Sequence, residues 1–263
     1  VLAAAAAGAH ILGAMPAAPN VSILPTAADA VPILLDEFRQ VLARHRLPLV
    51  GFATGGTYTA MLQALGRELA AGRIDPLAFV ATHLDEYLGF GPERRGGMVH
   101  ELGEACPPLL AMLARGTFLP VPHDGGDAGL CNHEQRLARA GGVRLQFLGI
   151  GRNGHLAFNE PGTPLDSTFH VTRLAATTRD DARKRFAPDE PPVDAATSGL
   201  ATILAAERLV LCAFGGSKAP AVRAMLLGEE STACPASVLR RHGNVRVLLD
   251  RDAAQLLGNG ASA

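Results

Sequence analysis

The chain has 263 residues, of which 48% are hydrophobic and 19% charged, with a formal net charge of -1. That is enough apolar material for a substantial core, with no charge excess to keep the chain unfolded. The near-neutral balance excludes the broad basic surface that nucleic acid requires, although a few local cations suffice for one phosphate group.

An alanine-rich stretch opens the chain without a preceding Lys or Arg, and Pro16 and Pro19 interrupt it. It lacks the positive start of a signal peptide and falls short of the roughly 20 apolar residues of a membrane span. Residues 1–18 therefore read as a flexible extension and residues 19–263 as a single domain, with no membrane partner expected. Strands are expected at Val21–Leu24, Leu47–Phe52, Leu77–Thr82, Leu145–Ile150, Arg208–Phe214 and Val245–Leu249. Helices are expected at Ala28–Arg46, Tyr58–Ala71, Cys106–Leu113, Asp127–Ala140, Leu200–Ala206, Lys218–Leu227 and Arg251–Leu257. The Pro-rich stretch Ala187–Val193 reads as a surface loop or the edge of a lid. Continuous apolar strands alternating with helices define an α/β chain whose mostly parallel sheet carries helices on both faces.

Cys106, Cys131, Cys212 and Cys234 show no CxxC or other metal-ligand spacing. They suggest neither a disulfide framework nor a metal site, and a reducing cytoplasm is the expected compartment.

Ligands of open α/β sheets bind at the carboxyl ends of the strands, and four unusual segments follow expected strands. Thr54-Gly55-Gly56-Thr57 offers glycine backbone, hydroxyl donors and a helix start suited to an anion. Asp85-Glu86-Tyr87 places paired acids beyond a buried strand, where a desolvated carboxylate can serve as a general base. Gly149, Gly151 and Gly154 form a GxGxxG pattern. A dinucleotide site also needs a helix directly after the glycines and an acid about 20 residues on, and both are missing here. The same turn instead carries Asn153, His155 and Glu160, a histidine with a carboxylate to orient it. Gly215-Gly216-Ser217-Lys218 is too short for a P-loop, but its Lys can meet a phosphate as a point charge.

Taken together these segments resemble the glucosamine-6-phosphate deaminase/isomerase family over roughly residues 20–255. The most specific match is Gly154-His155-Leu156-Ala157-Phe158-Asn159-Glu160-Pro161; the Thr54–Thr57 loop, Asp85-Glu86-Tyr87 and Lys218 follow the family's order and spacing. The resemblance implies a Rossmann-like sheet, no metal and no organic cofactor. It implies an amino-sugar phosphate that loses ammonia while its skeleton is isomerised. In that scheme Asp85 moves a proton between C2 and C1, and His155 opens the sugar ring with Asn153 and Glu160 in support. Thr54, Gly55, Gly56, Thr57, Lys218 and a lid arginine, for which Arg185 is the first choice within Arg183-Lys184-Arg185, hold the phosphate. A homo-oligomer is compatible with the resemblance.

Some positions depart from the family pattern. Asn153 stands where many members have Asp, and Arg94-Arg95-Gly96-Gly97-Met98 replaces a His-Pro-x-Ser-Tyr run. His170 and the Ser231–Ala236 segment look more like the galactosamine-6-phosphate branch, so the epimer stays open. Two rivals are a 6-phosphogluconolactonase, whose corresponding motif usually runs on differently from Leu156–Pro161, and a non-catalytic sugar-phosphate sensor, which should carry a helix-turn-helix.

Overall fold

The computed structural model describes residues 18–258. The extension expected over residues 1–18 lies, but for its last residue, outside the described residues. In chain order the elements are β1 (Asn20–Leu24), α1 (Ala30–Arg44), β2 (Leu49–Phe52), α2 (Thr59–Ala70), β3 (Val80–His83), β4 (Asp85–Tyr87), α3 (Met98–Ala105), α4 (Pro108–Ala114) and β5 (Phe118–Leu119). There follow α5 (Asp127–Arg139), β6 (Val143–Gly149), β7 (His170–Arg173), α6 (Ala176–Phe186), β8 (Asp194–Thr197), α7 (Leu200–Leu204), β9 (Leu209–Ala213), α8 (Ala219–Leu227), β10 (Val245–Asp250) and α9 (Arg251–Ala254).

Seven strands form one sheet in the order β1-β10-β9-β6-β2-β3-β5, and every pairing within it is parallel. Strands β2 and β9 are buried at every position, because helices cover both faces and leave no polar side for alternation. From β2 the chain proceeds to β3 and β5 on one side, and from β6 to β9 and β10 on the other. The β2/β6 boundary is thus a topological switch point, where the strand-end loops part and leave a crevice.

A second, antiparallel sheet, β4-β8-β7, was not foreseen. Asp85-Glu86-Tyr87, expected as a loop beyond β3, is its edge strand. The chain changes sheets at Leu84, whose carbonyl accepts from the Ser198 N–H at 2.7 Å. Helices α3 and α6 were likewise missed, and the helix expected at Cys106–Leu113 begins two residues later as α4.

Two buried polar groups fix the layers. The Tyr58 hydroxyl lies between β6 and β9, accepting from the Leu148 N–H (3.2 Å) with the Leu148 and Val210 carbonyls 2.9 and 3.1 Å away. It therefore pins the start of α2 to the sheet beside the switch point. Glu37 of α1 is 3% exposed and accepts from Arg208 Nη2 at 2.6 Å and Arg246 Nη1 at 2.9 Å. Burial opposes its charge, but the two guanidinia outweigh burial and hold its carboxyl below the ordinary value. Removing it leaves two arginines without their counter-charge. Glu37→Ala should therefore cost about 2 kcal/mol, a figure moderated by the partial exposure of the arginines. That corresponds to a fall in thermal midpoint of roughly 4–8 °C, and an unchanged midpoint would show that the triad contributes nothing.

Candidate active site

A cleft of about 280 Å³ opens at the switch point, at the carboxyl ends of β2, β3 and β6. It brings together most of the residues singled out from the sequence: Thr54, Gly55, Gly56 and Thr57 after β2, Asp85 on β4, His155 beyond β6, Arg185 on α6 and Lys218 before α8. Asn153 and Glu160 do not line it; they stand behind His155.

The histidine is held by a compact polar network. Glu160 Oε2 lies 3.5 Å from His155 Nδ1 and accepts from Asn153 Nδ2 at 2.8 Å. Its other oxygen accepts from the Ala175 N–H at 3.2 Å, at the start of α6. Burial alone would raise the Glu160 carboxyl, but bonding and charge from His155, then Thr178 and Asn153, prevail and bring it to about 2. An ionised carboxylate can only accept, so Nδ1 carries the proton and Nε2 is left as the basic atom of the ring. Asn153 orients the turn from both sides, since its Oδ1 also accepts from the His155 N–H at 3.2 Å. As a neutral amide it adds no second negative charge beside the imidazole.

The glycines that mimic a dinucleotide motif have local reasons. A Cβ on Gly151 would lie 2.3 Å from the His155 ring, so its absence lets the imidazole rest on the backbone. Gly154 has φ +85 and backs onto Cys234 Sγ. Ala157, which lines the cleft, also has a left-handed φ of 51, unusual for a residue with a side chain.

Asp85 is 9% exposed. Burial, followed by the Glu86 charge, pushes its carboxyl up to about 7, with Arg185 acting in the opposite direction. Glu86 is fully buried and also rises to about 7, through burial against the N–H groups that it accepts from. Its oxygens take the backbone N–H of Met98 at 2.8 Å and of Val99 at 3.0 Å, satisfying the otherwise open start of α3. The neighbouring acids thus differ in surroundings: Glu86 is tied into backbone, and Asp85 borders the cleft.

Lys218, also in the cleft wall, is pulled below its ordinary value, chiefly by burial. Of the three basic residues in the lid segment only Arg185 faces the cleft; Arg183 pairs with Asp180 and Glu190, and Lys184 is exposed. Thr178, Asp181, Ala182 and Arg185 all line the cleft at helical spacing. The sequence reading missed Thr178, whose Oγ1 lies 3.3 Å from His155 Nδ1, and Glu101, 2.6 Å from Arg185 Nε. The helical spacing of those four residues was the available signal for α6, masked by a polar sequence. Among the described residues no group of three or more His, Cys, Asp or Glu side chains is placed to hold a metal, and no helix is long and apolar enough to cross a membrane.

A parallel sheet with a switch-point cleft, an oriented histidine and an acid raised by burial defines an α/β fold of enzyme type. The chain belongs to the family described as glucosamine-6-phosphate isomerases/6-phosphogluconolactonase, whose model matches residues 26–248. A glucosamine-6-phosphate deaminase of Colwellia psychrerythraea is 40% identical over 222 residues, 83% of this chain and 82% of that one. Another from Beutenbergia cavernae is 36% identical over 90% of this chain and 92% of its own. The solved structure of a monomeric glucosamine-6-phosphate deaminase superposes with a TM-score of 0.82 at 31% identity, covering 90% of this chain and 99% of that one. The 6-phosphogluconolactonase of Trypanosoma brucei shares the fold, with a TM-score of 0.73 at 18% identity over 91% of this chain and 99% of its own.

The raised Asp85 carboxyl has a consequence for stability. A folded-state value above the ordinary one means that the folded protein holds this proton more tightly than the unfolded chain. The ionised group therefore destabilises the fold increasingly as pH rises from the ordinary carboxylate range to about 7, and fully above it. Asp85→Asn removes the effect. Its gain in thermal midpoint over wild type should be at least about 2 °C larger at pH 8 than at pH 5; equal gains at both pH values would contradict a desolvated carboxylate.

Proposed function

We propose that the protein converts an amino-sugar phosphate, with glucosamine 6-phosphate the first choice, into the corresponding ketose phosphate and ammonia. The observation that carries this reading is a single cleft that collects Asp85 and His155, groups suited to proton transfer, together with the Thr54–Thr57 loop, Arg185 and Lys218, groups suited to an anion. Relatives named for this reaction, one of them 40% identical over 222 residues, support it.

The chemistry follows from the groups present. His155 Nε2 takes the proton of the C1 hydroxyl and passes it to the ring oxygen, giving the open-chain aldehyde. Asp85 in its ionised form removes the C2 proton while O1 gains a proton, leaving an enolamine. It then returns its proton to C1 as the nitrogen gives one up, so that the proton gained by O1 is balanced by the one lost from nitrogen. The C2 imine so formed adds water and releases ammonia, leaving the ketone. One substrate and one water thus give one ketose phosphate and one ammonia. Ring opening and proton shuttling make different demands, which separate groups in different surroundings can meet. Glu160 and Asn153 hold the imidazole, and the phosphate is gripped equally in ground and transition states. The unpaired cysteines and the near-neutral charge support action in the cytoplasm on a small molecule rather than on nucleic acid.

An ammonia-release assay on glucosamine 6-phosphate and galactosamine 6-phosphate tests the reading and ranks the epimers. Release from neither, together with hydrolysis of 6-phosphogluconolactone, would replace it by the lactonase reading. Asp85→Asn should lower kcat by about 10³-fold while substrate still binds. Lys218→Ala should raise KM about tenfold or more with a smaller change in kcat, because a phosphate clamp acts uniformly; a fall in kcat alone would remove Lys218 from the clamp. Since Asp85 must be ionised in the free enzyme, kcat/KM should climb with pH and level off above about 7. A plateau reached already near pH 5 would show that Asp85 is not the base.

A further inference from the structure

One charge at the anion-binding end has the sign of the ligand itself. Glu101, on α3, places Oε1 2.6 Å from Arg185 Nε, and the two side chains are 23% and 25% exposed. Met98, one turn earlier on α3, lies against the same guanidinium, with Sδ 3.7 Å from Nη1. Burial raises the Glu101 carboxyl; Arg185 and the Gly55 N–H pull it the other way, with Glu104 and His100 adding smaller effects of opposite sign. A carboxylate of this chain thus engages the cation, and approaches the glycine loop, assigned above to the phosphate. Behind Arg185 a side chamber of about 230 Å³ opens, lined by Gly55, Gln63, Glu101 and Glu104. It offers Glu101 space to withdraw into, and Arg185 borders both this chamber and the main cleft.

We propose that Glu101 is a specificity-determining residue of this cleft: it is the resident counter-anion of Arg185, and an incoming phosphate group must take that guanidinium from it. The proposal rests on the reading of the Arg185–Lys218 end as the phosphate site. A phosphate dianion carries more charge and more acceptor oxygens than a carboxylate, so it can win Arg185 and also engage Lys218. A ligand with a single weak charge cannot, and Arg185 stays with Glu101. The ion pair therefore sets a threshold against weakly charged sugars, discrimination achieved by repulsion as much as by attraction.

Inorganic sulfate is the direct probe, since it stays doubly charged at working pH and involves no chemistry at Asp85 or His155. Calorimetric titration of the full chain should show sulfate binding about tenfold tighter to Glu101→Gln than to wild type, because Gln keeps an acceptor for Arg185 Nε while losing the competing charge. In an Arg185→Ala background the same change should gain about threefold or less, because the competition runs through that guanidinium. KM for glucosamine 6-phosphate should fall in Glu101→Gln by a similar factor. Should that variant melt well below wild type, Glu101→Ala replaces it and should still tighten sulfate about threefold or more. Unchanged or weaker sulfate binding in a natively melting variant, no sulfate binding by either protein, or an undiminished gain without Arg185 would each overturn the proposal. If wild type releases no ammonia yet sulfate tightens as stated, the assigned reaction fails and the anion competition stands.

Discussion

The candidate site depends on keeping one carboxylate largely out of water where two sheets meet. Asp85 is the first residue of the small sheet, one position beyond the residue at which the chain leaves the large one. That placement leaves Asp85 9% exposed at the cleft wall; burial and then the Glu86 charge outweigh the opposing charge of Arg185, so the acid rises towards neutrality. Two neighbouring contacts fix the junction: His83, at the end of β3, accepts the Val121 N–H at 2.9 Å, and Thr197 lies opposite Asp85 across the β4–β8 pairing. A protein built only for stability would fill such a place with an apolar side chain.

In the proposed function one cleft has two tasks, proton handling and charge recognition. Near the sheet junction the acids and the histidine are governed by burial and by short contacts within the fold. Near α6 the dominant objects are whole charges: Arg185, Lys218, Glu101 and the Asp181–Arg152 pair, whose closest atoms lie 2.6 Å apart. Helix α6 belongs to both regions. Its first turn is bound to Glu160 through Ala175 and touches His155 through Thr178, while its last turn carries Arg185. A shift of this helix would therefore alter the histidine and the anion end together.

Much of the framework was legible because its strands are continuous apolar runs and its helices carry apolar stripes, a pattern that survives translation into three dimensions. The parts that were not legible share a physical cause. Strands β4, β7 and β8 have three or four residues each, too few for a period to show. Helix α6, ATTRDDARKRF, buries only Thr178, Ala182 and Phe186 and turns polar residues towards the cleft. Its sequence therefore looks like solvated loop. Arg185 could be named but not separated from Arg183 by sequence, because the choice depends on which side of a helix turn faces Asp180 and Glu190.

By itself the sequence determined the α/β alternation, the order of the site segments and the chemical identity of the groups at their tips, since local pattern and residue type are carried in the chain. Tertiary structure alone decided that these tips meet in one cleft, that Asp85 is desolvated while Glu86 is tied to backbone, and that Glu101 stands beside Arg185. Desolvation and charge pairing depend on distances between residues far apart in sequence, and no local pattern encodes such distances.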